Sequence, residues 1–391
     1  MRVLHVLDAA CARPTDYARR TQALLTALRA QGIQTVHLSA VAACDADSQD
    51  AWPHHVWHLY RTPAPRTPGW LLRACPDLAA GAALALRLRR IVLLTRPDLI
   101  HVHAPSVHAS AAWPVARLGR LPLVVEADRR AAAGSGIGPL GRFAGARADA
   151  LAAPSIEMRA ALRASGIHPR RIAILPPAAD VMAALDRGAR PSDMDMLDAP
   201  LLAYAGDLDA PAGIGLLLAA LHDLRHKRRT LRLLVAGGGT GMEVLEARIA
   251  AAGLNGYVRV TGLLAGRRAA DVMARADIAV FPALAGRGTL TPSRHLLNAM
   301  AQGCAVVASD IPCHRDLLVH GHSGMLFAAG SRRALADALA QLLDERYRLR
   351  PLGLAAARCI AATHSWASAA ARYRRLYESV LADVRDGRRG C

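Results

Sequence analysis

Phosphate binding is the first chemistry the residues raise. The run LRLLVA passes straight into Gly237-Gly238-Gly239-Thr240-Gly241, and MEVLEARI follows with helical spacing. Glycines at a strand-to-helix turn let backbone N–H groups approach a phosphate, and the helix amino terminus adds partial positive charge. The same residues also read as a flexible turn, common in α/β folds. No Gly-Lys-Ser/Thr follows, and the run is not a G-x-G-x-x-G at the first strand, so ATPase and ordinary NAD-enzyme readings weaken. A second polar feature stands in TPSRHLLNAMAQGCAVVASD, Thr291 to Asp310. There a helix around 292–302 stops at Gly303, and a strand of small and β-branched residues begins at 305. Asn298 lies on that helix, close to the join. His103 closes the run LIHVH at a strand's carboxyl end, whereas His101 and His5 lie inside strands and read as packing residues. The seven cysteines are scattered without a C-x-x-C pair, so neither a zinc site nor a disulfide framework is indicated, and no metal is expected.

These features need a scaffold, and the apolar pattern supplies one. Strand-like runs at 2–7, 35–39, 99–103, 123–126, 150–153 and 172–175 alternate with helix-like runs, among them 17–31 and the Leu/Ala/Arg stretch 78–94. Such alternation predicts a parallel sheet with helices on both faces. The segment 182–200 breaks the pattern with ARPSDMDMLDAP, polar and bounded by prolines, and reads as a linker. Alternation then restarts with strands at 201–205, 232–236, 258–261, 278–281 and 305–309, followed by a long helical tail. The predicted fold class is α/β with two doubly wound, Rossmann-like domains facing a cleft. Its divisions are 1–185, a linker at 186–200, 201–365, and a final helix and tail at 366–391. Ligands of open parallel sheets bind beyond the carboxyl ends of the strands, which directs attention to the loops after Ala205, Ala236, Phe281 and Ser309.

Composition narrows the classes further. With 391 residues and 53% hydrophobic content, the chain can bury large cores. Its 49 basic and 31 acidic residues give a net charge of +18, nearly all from arginine. That excess suits anionic partners, although an arginine- and alanine-rich composition also follows from biased codon usage. Nucleic acid is not an expected partner, because aromatic residues are only 4% and the arginines are spread rather than clustered. MRVLHVLDAA reads as a first buried strand rather than a signal peptide, which favours a cytoplasmic location. The stretch 78–94 is interrupted by Arg87, Arg89 and Arg90, so it falls short of the roughly 18 uninterrupted apolar residues of a spanning helix.

The order of these features resembles the family 4 glycosyltransferases of the GT-B fold. The resemblance covers nearly the whole chain. It rests on LIHVHAPSVHASAAWPVARLGRLPLVVEADRR, RIAILPPAAD, LLAYAGDLDAPAGIGLLLAAL, VAGGG, VRVTGLLAGRRAADVMARADIAVFP, NAMAQGCAVVASD and HRDLLVHGHSGMLF. Spacing is most similar to the subgroup associated with exopolysaccharide and exosortase loci. The resemblance implies retaining transfer of a sugar from a nucleotide-sugar to a glycan or polyprenyl-linked acceptor, without a metal or other cofactor. It places the donor diphosphate at Gly237, Gly238 and Gly239 and the donor ribose near Asn298. The acceptor would lie against the amino-terminal half, near His103, Glu126 and Asp128. Either carboxylate is a candidate base toward an acceptor hydroxyl, unless Arg129 and Arg130 neutralise it. The basic surface then fits peripheral docking on an anionic inner membrane.

Several positions depart from the family pattern. Where the family has a ribose-gripping glutamate, this chain has Asn298, which keeps hydrogen bonding but loses the charge. The partner glutamate falls on Leu290, and the cationic pair that holds the diphosphate falls on Asp207 and Ala212. Arg267, Arg287 and Arg294 are candidate replacement cations. These changes motivate an alternative reading: a catalytically degenerate protein of the same fold acting as a binding or scaffold partner. A sugar epimerase of that fold is a further alternative.

Overall fold

A computed structural model describes residues 1–7, 16–39, 59–62, 76–103, 107–127, 145–164, 166, 172–180, 200–206, 208, 213–225, 231–239, 241–262, 273, 275–284 and 293–386. Asp128, Arg129, Arg130, Asp207, Ala212, Thr240, Arg267, Arg287, Leu290, the expected linker at 186–199 and most of the expected helix at 268–275 lie outside the described residues. The chain divides into two units, 1–176 together with 366–391, and 177–365.

Among the described residues, the first unit is built on seven parallel strands: β1 (Arg2–Leu7), β2 (Gln34–Ser39), β3 (Leu59–Arg61), β4 (Leu99–Val102), β5 (Leu123–Glu126), β6 (Ala150–Ala153) and β7 (Ile172–Ile174). Their order is β3-β2-β1-β4-β5-β6-β7. Parallel neighbours require crossover connections, provided in part by α1 (Asp16–Ala30), α2 (Pro76–Thr95), α3 (Val107–Leu118) and α4 (Ile156–Ala164). The central strands are buried along most of their length, which is why they read as near-continuous apolar runs. The chain runs outward from β1 to β3 and then returns to β4 on the other side of β1, so the topological switch lies between β1 and β4.

Side chains alternate between the faces of a strand, and one face of this sheet has an unusual composition. Val3, Leu7, Leu99 and Val124 on it are packed by Leu25 and Leu28 of α1. Each such fully buried leucine contributes about 1.5–3 kcal/mol. The parallel register sets His37 opposite His5 and His5 opposite His101, so three histidines cross β2, β1 and β4 in one row on this face. Its cover is completed by the last helix of the chain. The long helical tail expected from sequence is divided into α9 (Arg332–Asp344), a 3-10 turn (Arg346–Arg348), α10 (Leu349–Thr363) and α11 (Trp366–Arg385). Ala370, Tyr373, Tyr377 and Val380 form the buried stripe of α11 and pack into the same cluster as Val3, Leu7 and Val124.

Among the described residues, the second unit has six parallel strands in the order β10-β9-β8-β11-β12-β13. They are β8 (Leu201–Ala205), β9 (Arg232–Ala236), β10 (Val258–Val260), β11 (Ile278–Phe281), β12 (Ala305–Ser309) and β13 (Met325–Phe327). The helices are α5 (Ile214–Arg225), α6 (Met242–Ala251), α7 (Arg294–Ala301) and α8 (Pro312–Arg315), with α9 and α10. One sheet face, with Leu202, Leu233, Val235 and Val280, packs on Leu217 and Leu221 of α5 and Leu335 and Leu339 of α9. The other presents the small side chains Ala203, Ala205, Ala279 and Ala308, which let Leu296 and Met300 of α7 and Ala356 of α10 approach closely. Ser331 caps α9, its hydroxyl accepting from the Ala334 N–H at 3.1 Å. The switch in this sheet lies between β8 and β11, again the place where a doubly wound sheet opens a crevice at the strand carboxyl ends.

Candidate active site

In the second unit, the strand carboxyl ends meet the expected phosphate turn. β9 delivers Gly237, whose missing side chain is required: a Cβ there would collide with the Gly206 carbonyl oxygen and lie 2.9 Å from Leu208 Cδ2. Backbone bonds tie this turn to its neighbours. Gly206 N–H donates to Ala236 O at 3.1 Å, Gly237 N–H to Gly262 O at 3.1 Å, and Leu208 N–H to Gly238 O at 3.3 Å. The amide of Gly237 is therefore already used, which leaves those of Gly238 and Gly239 on the expected phosphate turn. Across the switch point, Gly213 has φ of 73°, and a Cβ on it would strike the Pro282 carbonyl oxygen. The amino-terminal end of α5 thus packs directly against the loop that follows β11.

Residues that sequence reasoning passed over stiffen that loop. Ser309, fully buried at the carboxyl end of β12, accepts from Ala283 N–H at 2.8 Å and donates to Ala283 O at 2.9 Å. His314 on α8 donates Nδ1–H to Ser309 O at 2.8 Å. Burial lowers the His314 pKa, partly offset by that hydrogen bond, so the ring is neutral. The visible signal was a lone serine ending the run AVVAS. Arg294 and Asn298, four residues apart, both lie on the exposed side of α7, while Leu296, Leu297, Ala299 and Met300 face the core. The Asn298 amide is therefore presented outward.

In the first unit, the switch between β1 and β4 carries His103 just past β4, with Glu126 ending β5. Both belong to one hydrogen-bonded chain. His103 Nδ1 lies 3.2 Å from Glu126 Oε1, and Tyr373 of α11 donates its hydroxyl to the same oxygen. His103 Nε2 lies 2.9 Å from His5 Nδ1. An ionised carboxylate only accepts, so His103 donates from Nδ1, and with a neutral ring its Nε2 accepts the His5 Nδ1–H. Nearby, His101 Nδ1 and the Tyr377 hydroxyl are 2.7 Å apart. His101 Nε2 approaches Glu126 Oε1 only to 3.6 Å.

Charge in this chain is concentrated on Glu126. Burial pushes its pKa up but is overcome by the adjacent His103 and the hydrogen bond it donates, with help from His101 and Tyr373, so the carboxyl is held below the usual range. His101 is lowered to about 3 by burial and by His103, against the pull of Glu126. His5 is pushed well down by burial and by the neighbouring imidazoles. Burial and Glu126 raise both tyrosines, so their hydroxyls remain donors. His103 thus has both ring nitrogens engaged and 6% exposure, leaving neither nitrogen for an acceptor hydroxyl in this arrangement. Glu126, 23% exposed, is the member that reaches solvent. The histidines read as packing residues do pack, but they also form this polar chain. Among the described residues, no helix is long and apolar enough to cross a membrane.

Comparison with known proteins agrees with this architecture. A family model described as glycosyl transferases group 1 matches residues 199–345, and one described as glycosyl transferase 4-like domain matches residues 17–178. The D-inositol 3-phosphate glycosyltransferase of Nocardia farcinica is 30% identical over 316 residues, 75% of this chain and 69% of that protein. The phosphatidyl-myo-inositol mannosyltransferase of Mycobacterium leprae is 33% identical over 178 residues, 45% of this chain and 46% of that protein. Among solved structures, Anabaena Alr3699/HepE in complex with UDP and glucose superposes with a TM-score of 0.75 at 16% identity, covering 97% of this chain and all of that one. These structural likenesses, with the two parallel-sheet units, establish the GT-B fold. On sequence and architecture together, the chain belongs to the group 1, family 4 glycosyltransferases.

Proposed function

We propose that the chain transfers a sugar from a nucleotide-sugar to a polysaccharide or polyprenyl-linked acceptor, with retention of anomeric configuration, in exopolysaccharide assembly. The observation that carries this reading is the β8/β11 switch of the second unit, where the turn at Gly237, Gly238 and Gly239 and the outward-facing Asn298 both belong to elements packed on one sheet. The diphosphate would meet Gly238 and Gly239, and the ribose Asn298, with Arg294 adding a cation; no metal or other cofactor is asked of the transfer. Glu126 would accept a hydrogen bond from the acceptor, held in place by His103 and Tyr373. UDP and UDP-glucose occupy solved structures of the same fold, which supports a nucleotide-sugar donor. Catalysis would consist of holding two substrates together and stabilising the leaving diphosphate.

We place the protein in the cytoplasm, peripherally on the inner face of an anionic membrane, from its charge of +18. Co-sedimentation with anionic vesicles at low salt, lost at high salt, is the expected result. Transfer of labelled sugar from UDP-, GDP- or ADP-sugars to extracted polyprenyl-phosphate acceptors tests the reaction. No product with any donor would reject it. One observation favours the second reading, a scaffold without catalysis: the family's ribose-gripping carboxylate is replaced by the amide of Asn298. Detectable transfer would remove that alternative.

A further inference from the structure

The histidine row contains an imbalance that its hydrogen bonds do not resolve. His5 and His101 are fully buried, yet Nε2 of each has no hydrogen-bond partner. Buried polar atoms are normally satisfied, and an orphaned pair in a well-packed region points to an occupant such as water or an ion. One ring nitrogen each from His5, His101 and His103 can be chosen so that all three lie within 4.8 Å of one another. His5 and His101 are register partners on adjacent strands, and His103 follows two residues later on the same face. The three rings therefore converge because of the sheet, with centroids 4.2 to 5.3 Å apart.

We propose that His5, His101 and His103 bind one borderline divalent transition-metal ion of the zinc class, which staples β1 to β4 at the switch of the first unit. Three imidazoles suit zinc, cobalt, nickel or copper, and a ligand set of ring nitrogens with no carboxylate oxygen disfavours calcium or magnesium. Bonds of about 2.0–2.1 Å to each nitrogen place pairs of ligands about 3.3 Å apart, so the rings need to close by at most about 1.5 Å. The outer shell is also present. Glu126 Oε1 stands 3.2 Å from His103 Nδ1, as in a carboxylate–histidine–metal triad, and the Tyr377 hydroxyl orients His101 at 2.7 Å from Nδ1. Metal binding replaces the His5–His103 hydrogen bond with coordinate bonds from His5 Nδ1 and His103 Nε2, and gives a partner to His101 Nε2, one of the two ring nitrogens left without one. The site uses only first-unit residues, so it stands whether or not the donor assignment in the second unit holds.

The test uses the full chain, stripped with a chelator, desalted and checked for fold by circular dichroism. Cobalt(II) titration should produce a ligand-field spectrum of low-symmetry, tetrahedral type that saturates at one ion per chain and is displaced by zinc. His5→Gln and His101→Gln should each weaken binding at least tenfold, Glu126→Gln should weaken it roughly 10- to 100-fold, and His37→Gln, in the same row but outside the triad, should leave it unchanged. A folded wild-type chain giving no such spectrum would overturn the site, as would equal binding in His5→Gln and His101→Gln; both results would leave water as the occupant. Should the histidine variants fail to fold, X-ray absorption of the zinc-loaded wild type decides. Three imidazoles in the first shell support the proposal, and fewer than three reject it.

Discussion

At the residue scale, what a group can do depends on what already holds it. Glu126 is ionised and accepts from His103 and Tyr373, so it orients rather than shuttles protons. Tyr373→Phe keeps the ring and removes one donor to a charged oxygen, and should cost about 1.5–3 kcal/mol of stability by denaturant titration. Gly237→Ala drives a methyl group toward the Gly206 carbonyl and should destabilise by about 1–3 kcal/mol. Asn298→Glu restores the family's carboxylate on the exposed side of α7. It should tighten nucleotide binding roughly tenfold, the worth of one charge-assisted hydrogen bond; unchanged affinity would remove Asn298 from the ribose site. His314 supplies a pH dependence. Its folded pKa is lowered, so the unfolded chain takes up the proton first as pH falls through about 6.5. The neutral ring's contribution is complete above that pH and is lost below it. The fall in thermal midpoint between about pH 7.5 and 5.5 should be shallower in His314→Gln than in the wild type.

At the element scale, the legible parts of the fold were those with a local signature. β1, β4, β8 and β12 are buried on both faces and read as apolar runs, and α7 showed its helical pattern and its stop at Gly303. β3 and β13 are three residues each, and LYR and MLF lack the β-branched residues that mark β7 and β10 at the same length. The docking of α11 was hidden for another reason: its stripe at Ala370, Tyr373, Tyr377 and Val380 announces a helix with one buried side but not its partner, which lies in the first unit. The histidine chain was hidden likewise, because the β1–β4 register brings together residues far apart in sequence. The places of Asn298 on α7 and of the glycine turn after β9 are legible because their neighbours in sequence define those elements. Tyr377 is fully buried in α11, and Tyr377→Ala should cost about 3–5 kcal/mol, releasing α11 to proteolysis before the second unit unfolds.

At the scale of the whole molecule, two parallel-sheet units each have a switch point where glycine and polar residues collect at the strand carboxyl ends. In one it is β8/β11, with Gly238, Gly239 and the loop held by Ser309; in the other it is β1/β4, with His103 and Glu126. Family membership accounts for glycosyl transfer, and the proposal that the second unit holds the donor is what remains to be measured. Calorimetric titration of the purified chain with UDP, GDP and ADP, repeated on Gly238→Trp, tests it most directly. Binding of one nucleotide, abolished by the tryptophan while the protein stays folded, is the predicted result. A folded chain that binds none of the three at millimolar concentration, or a Gly238→Trp variant that binds as the wild type does, would contradict it.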